Sequence, residues 1–111
     1  MLKIDIENNK GLLLVKLDGS LNRITSYKIN NYLVPVIIKH KIKSLMLNIQ
    51  KITDVDDDGI ESINNIKYAV KNNKGNIYLY QSNNYLEKKL NKLHLKKVKS
   101  NEKALELIGA K

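Results

Sequence analysis

Cysteine is absent from this 111-residue chain. That excludes disulfides, thiolate zinc sites and cysteine nucleophiles together. Arginine is almost absent, Arg23 standing alone among twenty Lys and Arg side chains. Arginine is the residue that reads guanine edges and forks onto phosphates, so a net charge of +9 built from lysine is a weak nucleic-acid signal. Long apolar runs are missing too: Leu12–Val15 and Val34–Ile38 are far too short to cross a bilayer. Met1-Leu2-Lys3 leads straight into an alternating pattern, with no secretory leader visible. The five glycines are scattered singly, so no phosphate cradle exists. His40 and His94 have no serine, carboxylate or metal partner at a recognisable spacing. The expectation is one cytoplasmic domain, residues 1–111, with no catalytic residues, no metal and no cofactor.

What is there is periodicity. Leu2, Ile4 and Ile6 alternate with Lys3, Asp5 and Glu7, the period of a half-buried strand. Asn8-Asn9-Lys10-Gly11 reads as a turn into a second strand, Leu12–Leu17, its hairpin partner. Thr25 or Ser26 is placed to cap a helix carrying Ile29, Leu33, Val36 and Ile37 on one face. Pro35 falls inside it, lacking a donor and clashing with the preceding turn; a kink or a restart is expected there. Ser44–Ile49 is a third strand, with Leu45, Leu47 and Ile49 on one face and Ser44, Met46 and Asn48 on the other. Residues 50–57 are expected to be a loop. Ile60, Ile63, Ile66 and Val70 follow at helical spacing, Asn76–Tyr80 is a fourth strand, and Asn83 or Asn84 opens a helix with Leu86, Leu90 and Leu93 inward. A short edge strand at Lys97–Lys99 and a last helix from Ser100 or Asn101 through Ile108 complete the chain. Strands alternating with helices after a hairpin predict an α/β fold: a mixed four- to five-stranded sheet with about four helices.

The most unusual local feature is Asp54-Val55-Asp56-Asp57-Asp58-Gly59, between a strand and a helix. Consecutive carboxylates repel, and a helix N-terminus offsets that cost with free N–H groups and the positive end of its dipole. Asp58 and Glu61 stand at capping-box spacing, so Asp58 is the expected N-cap. A calcium loop would alternate its oxygen ligands and end in a bidentate glutamate, which this run does not do. Lys88, Lys89, Lys92, Lys96, Lys97 and Lys99 form a basic stretch with only Tyr85 as a nearby aromatic. Single-strand binding calls for interleaved stacking platforms, so the stretch reads as a solvated face.

Four stretches in order resemble the STAS domain of bacterial anti-sigma factor antagonists (anti-anti-sigma factors), over about residues 2–108. Gly19-Ser20-Leu21-Asn22 stands where the family has Gly-x-Leu-Asp, and Leu45–Ile49 matches its buried third strand. Val55-Asp56-Asp57-Asp58-Gly59-Ile60 matches the family's Asp-Ser-Ser/Thr-Gly-Leu before the second helix, and Tyr85–Leu90, with Leu93 and Leu95, resembles its later helix. The resemblance implies a non-enzymatic interaction module in a partner-switching pathway that regulates transcription. Its implied partner is an anti-sigma factor and serine kinase of the histidine-kinase-like ATPase type, with no nucleic acid and no membrane insertion.

In the family a serine or threonine before that glycine is phosphorylated, and phosphorylation releases the partner. Asp58 occupies that position here and Asp57 the serine before it, so neither hydroxyl exists to be phosphorylated. Aspartate carries about one charge against roughly −1.5 to −2 for phosphoserine. The chain is therefore either locked in the released form or matched to a partner adapted to an acidic helix start. Asn22 also replaces the family's aspartate. The implied contact surface is Asp56, Asp57, Asp58 and Gly59, with Glu61 and Ser62 beside them and Asn22 and Arg23 from the preceding loop. The other reading is a STAS subunit or small-ligand-binding domain of a transport or lipid system.

Overall fold

The structure is a computed structural model and describes residues 1–98. Strands β1 (Leu2–Asn9) and β2 (Leu12–Leu21) pair antiparallel through a two-residue turn at Lys10-Gly11. A π-helical segment, Lys28–Leu33, runs into helix α1, Val34–Lys39. Then come β3 (Ser44–Val55), α2 (Asp57–Asn72), β4 (Asn76–Gln81), α3 (Asn84–Leu90), a 3-10 turn at Asn91–Leu93 and β5 (Lys96–Lys97). The sheet order is β1-β2-β3-β4-β5, with β2 to β5 parallel and β1 antiparallel at one edge. This is the expected mixed α/β sheet. The helix foreseen from residue 100 and Lys99 of the foreseen edge strand lie outside the described residues.

Period-two alternation decides which side of the sheet meets the helices. Leu13, Val15 and Leu17 of β2, Leu45, Leu47 and Ile49 of β3, and Ile77 and Leu79 of β4 share one cluster. They pack with Ile29, Leu33 and Ile37 from the first helical segments and Ile60, Ile63, Ile66 and Val70 from α2. On the opposite face Leu12, Met46, Tyr78 and Val98 form a smaller buried cluster. Ile6, foreseen as half-buried, is 47% exposed, because β1 is the sheet edge and only Leu2 of that strand is fully covered.

Two local expectations are corrected. The segment after Ile49 is strand rather than loop: β3 continues to Val55, pairing Lys51 with Asp18, Ile52 with Gly19 and Val55 with Leu21. Register shifts between Lys16 and Asp18 and between Gly19 and Ser20 break simple alternation, yet Ile52 and Val55 are buried and hold the strand down. The first helix is not capped by Thr25 or Ser26. Asn22 Oδ1 instead accepts from the N–H groups of Ile24 and Thr25, at 2.9 and 3.1 Å. At Pro35 the expected restart occurs: the Val34 N–H reaches back five residues to Ile29 O, closing a wide turn just ahead of the ring that cannot donate.

Candidate functional site

The parallel strands deliver their C-terminal ends to one side of the molecule, where β2 leads into the Asn22–Ser26 turn and β3 into α2. Asp56 joins the two. Its Oδ1 accepts from Gly59 N at 2.8 Å, which makes Asp56 the N-cap of α2. Its Oδ2 accepts from Arg23 N at 3.0 Å, and its own N–H donates to Leu21 O at 3.3 Å. Asp58 is therefore not the cap; Asp57 and Asp58 lie in the first turn with exposed side chains. The reason is long-range. All three aspartates are good caps, but only Asp56 is also fastened to the loop after β2.

Gly59 is buried, and the space beside it is closed. A Cβ there would sit well inside contact distance of the Leu21 carbonyl oxygen and 2.7 Å from Val55 Cγ2. Only glycine lets the first turn of α2 lie this close to the end of β2. Ser62 is fully buried and donates from Oγ to Gly59 O at 2.7 Å, so it lies beneath the surface formed by Asp57, Asp58 and Glu61. Asn22 is half-buried, its Oδ1 occupied by two N–H groups, while the Arg23 and Glu61 side chains are exposed. The structure thus brings all eight residues of the sequence-derived set to one end, five exposed, Asn22 half-buried, and two, Gly59 and Ser62, as support.

One member of this surface was not foreseen. Ile24, next to Arg23, is 78% exposed, an apolar side chain held outward because Asn22 fixes its N–H. Its isolation among polar neighbours gives no periodic signal. Thr25 is a tie rather than a cap: its hydroxyl holds the loop internally, donating to Ser20 O at 2.7 Å and accepting from Asn22 N at 3.0 Å.

Electrostatically the mouth of α2 is negative on a positive protein. The Asp56 carboxyl is held below its ordinary pKa, chiefly by the Gly59 N–H; desolvation opposes this, and the Arg23 N–H adds to it. Among the described residues no three or more histidines, aspartates or glutamates gather as a metal site. Nor does any described helix have the length and apolarity to cross a membrane.

Asp56→Ala should cost about 1–2 kcal/mol in urea unfolding, the upper range for losing a cap, because the loop bond to Arg23 goes with it. Asp56→Asn, which keeps an acceptor oxygen, should cost less. Linkage gives the pH dependence. Because the folded carboxyl is held low, its contribution is complete above about pH 4, the unfolded value, and is lost as pH falls through the lower folded value. Asp56→Asn should therefore flatten the acid limb of the stability curve; an unchanged limb would remove Asp56 from this role.

A family model described as the STAS domain matches residues 3–105. Among solved structures, the anti-sigma factor antagonist SpoIIAA in its unphosphorylated form is similar with a TM-score of 0.76 at 13% identity, covering 96% of this chain and 98% of that one. The phosphorylated form of SpoIIAA, a Bacillus cell fate determinant, gives 0.73 at 12% identity over 96% and 99%. The murine anion transporter Slc26a9 is similar with a TM-score of 0.75 at 13% identity, over 95% of this chain but only 19% of that one.

Proposed function

The chain belongs to the STAS domain family, and on that footing we propose that it is a non-enzymatic interaction module of the anti-sigma factor antagonist kind. Its partner is an anti-sigma factor of the histidine-kinase-like ATPase type, and the complex forms in the cytoplasm to regulate transcription by partner switching. The observation that carries this reading is the exposed acidic first turn of α2, Asp57 and Asp58, rigidly set against the β2 loop by Asp56. Asp58 matches the position phosphorylated in the family. Asp57 and Asp58 offer no hydroxyl for phosphorylation to switch, so the reading adopted is a partner with a complementary basic surface. Ile24, exposed at the rim, supplies an apolar anchor for it, and Arg23 and Glu61 border the contact.

The test replaces both aspartates by serine. Each first-turn carboxylate contributes about 0.3–1 kcal/mol through the helix dipole, so Asp57→Ser with Asp58→Ser should cost under about 2 kcal/mol and leave the Asp56 cap in place. Titration calorimetry against an anti-sigma factor of the histidine-kinase-like ATPase type should show binding by the wild type and its loss in the variant, since charge complementarity governs such interfaces. Tighter binding by the variant, with phosphorylation of the new serine, means instead that the wild type is locked in the released form. Equal binding removes the acidic turn from the contact.

A second reading has one observation behind it, the similarity to a domain of an anion transporter. In that case the chain is a subunit or ligand-binding domain of a transport or lipid system. Thermal shifts against a nucleotide panel separate the two: a specific rise in Tm supports the second and none supports the first.

A further inference from the structure

At the end of the molecule opposite the α2 mouth, three connections meet: the β1–β2 turn, the α1–β3 loop and the α2–β4 loop. The sheet register sets them level, since Asn9 pairs with Leu12, Leu13 with Leu45 and Ser44 with Asn76. Asn73 locks two of them together, its Nδ2 donating to Ile37 O at 3.1 Å and Ile42 O at 2.9 Å, while Asn76 N donates to Lys43 O at 2.8 Å. These connections expose Lys10, Lys41, Lys43 and Lys74, and the last turns of α1 and α2 add Lys39 and Lys71. No carboxylate among the described residues pairs with any of them; the one ion pair found there is Lys97–Glu87.

Three of these lysines stand where backbone physics favours another residue. Lys10, Lys41 and Lys74 have φ of 54°, 50° and 63°, the left-handed region that glycine and asparagine occupy most readily. Lys41 and Lys74 directly follow the C-caps of α1 and α2, positions where glycine is usual. Lys10 sits in the hairpin turn, where Asn-Gly is the preferred pair. At all three sites lysine is present despite the local conformational cost.

We propose that this lysine pole is a docking surface for an anionic membrane, holding the protein peripherally with its acidic mouth facing away. The pole contains no arginine, and its exposed rings, His40 between Lys39 and Lys41 and Tyr68 a turn before Lys71, are single rather than an interleaved series, so a smooth field of negative headgroups suits it better than a nucleic acid. Ile38, 57% exposed on the last turn of α1 beside Lys39, supplies an apolar contact at the interface. The opposite end orients the molecule: Asp54, Asp56, Asp57, Asp58 and Glu61 are all exposed there, and a negative surface repels them. This inference does not depend on which partner the acidic mouth binds.

The test is co-sedimentation with vesicles of equimolar phosphatidylserine and phosphatidylcholine, beside pure phosphatidylcholine, at roughly 0.1 M salt, where the Debye length is about 10 Å. The wild type should bind the charged vesicles and ignore the neutral ones. Replacing Lys10, Lys41 and Lys74 by asparagine, which tolerates this backbone, should preserve the fold and weaken partitioning roughly a hundred-fold, at about five-fold per lysine. The control removes the same charge elsewhere: Lys88, Lys89 and Lys92 to glutamine should weaken it only several-fold by the same general attraction. Equal losses in the two triple variants would reduce the effect to net charge. Failure of the wild type to sediment, or tighter binding to poly(U) than to the charged vesicles, would equally overturn the proposal.

Discussion

Ile63→Ala should lower the unfolding free energy by about 2–5 kcal/mol, the range for truncating a buried isoleucine. Ile63 is 1% exposed and lies on the face of α2 that packs with the sheet cluster. Its neighbours on that face, Ile60 and Ile66, come from adjacent turns of the same helix and cannot move in to fill the gap without unseating α2. A domain of this size has roughly 5–15 kcal/mol in total, so the variant gives up a large share of its stability. Urea unfolding monitored by circular dichroism measures the loss directly. A loss below about 1 kcal/mol, under the usual range for such truncations, would mean that this face of α2 is not core.

Gly59→Ala should be nearly as damaging, for the opposite reason. The added methyl meets the Leu21 carbonyl oxygen and Val55 Cγ2, and a backbone oxygen at the end of a paired strand has little freedom to retreat. Overpacking of this kind typically costs 1–3 kcal/mol, and about 3 kcal/mol is expected where the obstacle is backbone. The effect should also be positional. Pushing α2 away from β2 lengthens the bonds from Asp56 N to Leu21 O and from Arg23 N to Asp56 Oδ2, so the Arg23 and Asp56 amides should lose hydrogen-exchange protection together. Full protection at both, with unchanged stability, would show that the close approach at Gly59 is not structural.

These two residues show where the sequence was readable. The α2 core face was legible because Ile60, Ile63, Ile66 and Val70 repeat at the helical period, and the two faces of β3 followed from strict alternation across Ser44–Ile49. The same alternation failed after Ile49. Lys51, Thr53 and Asp54 look like loop residues, and the extra residues that β3 carries opposite β2, between Asn48 and Lys51 and between Ile52 and Asp54, break its own alternation. The cap was misplaced for a related reason. Asp56, Asp57 and Asp58 are equivalent locally, and the choice among them is made by Leu21 and Arg23, more than thirty residues earlier in the chain. Ile24 was invisible because a single apolar residue in a polar turn has no period. The neighbourhood of the site was thus readable from one acidic run and one loop motif, while its geometry depended on contacts between them.

Amide shift mapping of the labelled protein against an anti-sigma factor of the proposed histidine-kinase-like ATPase type tests the central claim most directly, because it locates the contact without altering a residue. Docking at the α2 mouth predicts the largest perturbations at Asn22, Arg23 and Ile24 and along Asp57, Asp58 and Glu61, with α3 and β5 unmoved. Perturbations confined to α3 and β5, with the acidic turn silent under saturating partner, would contradict it.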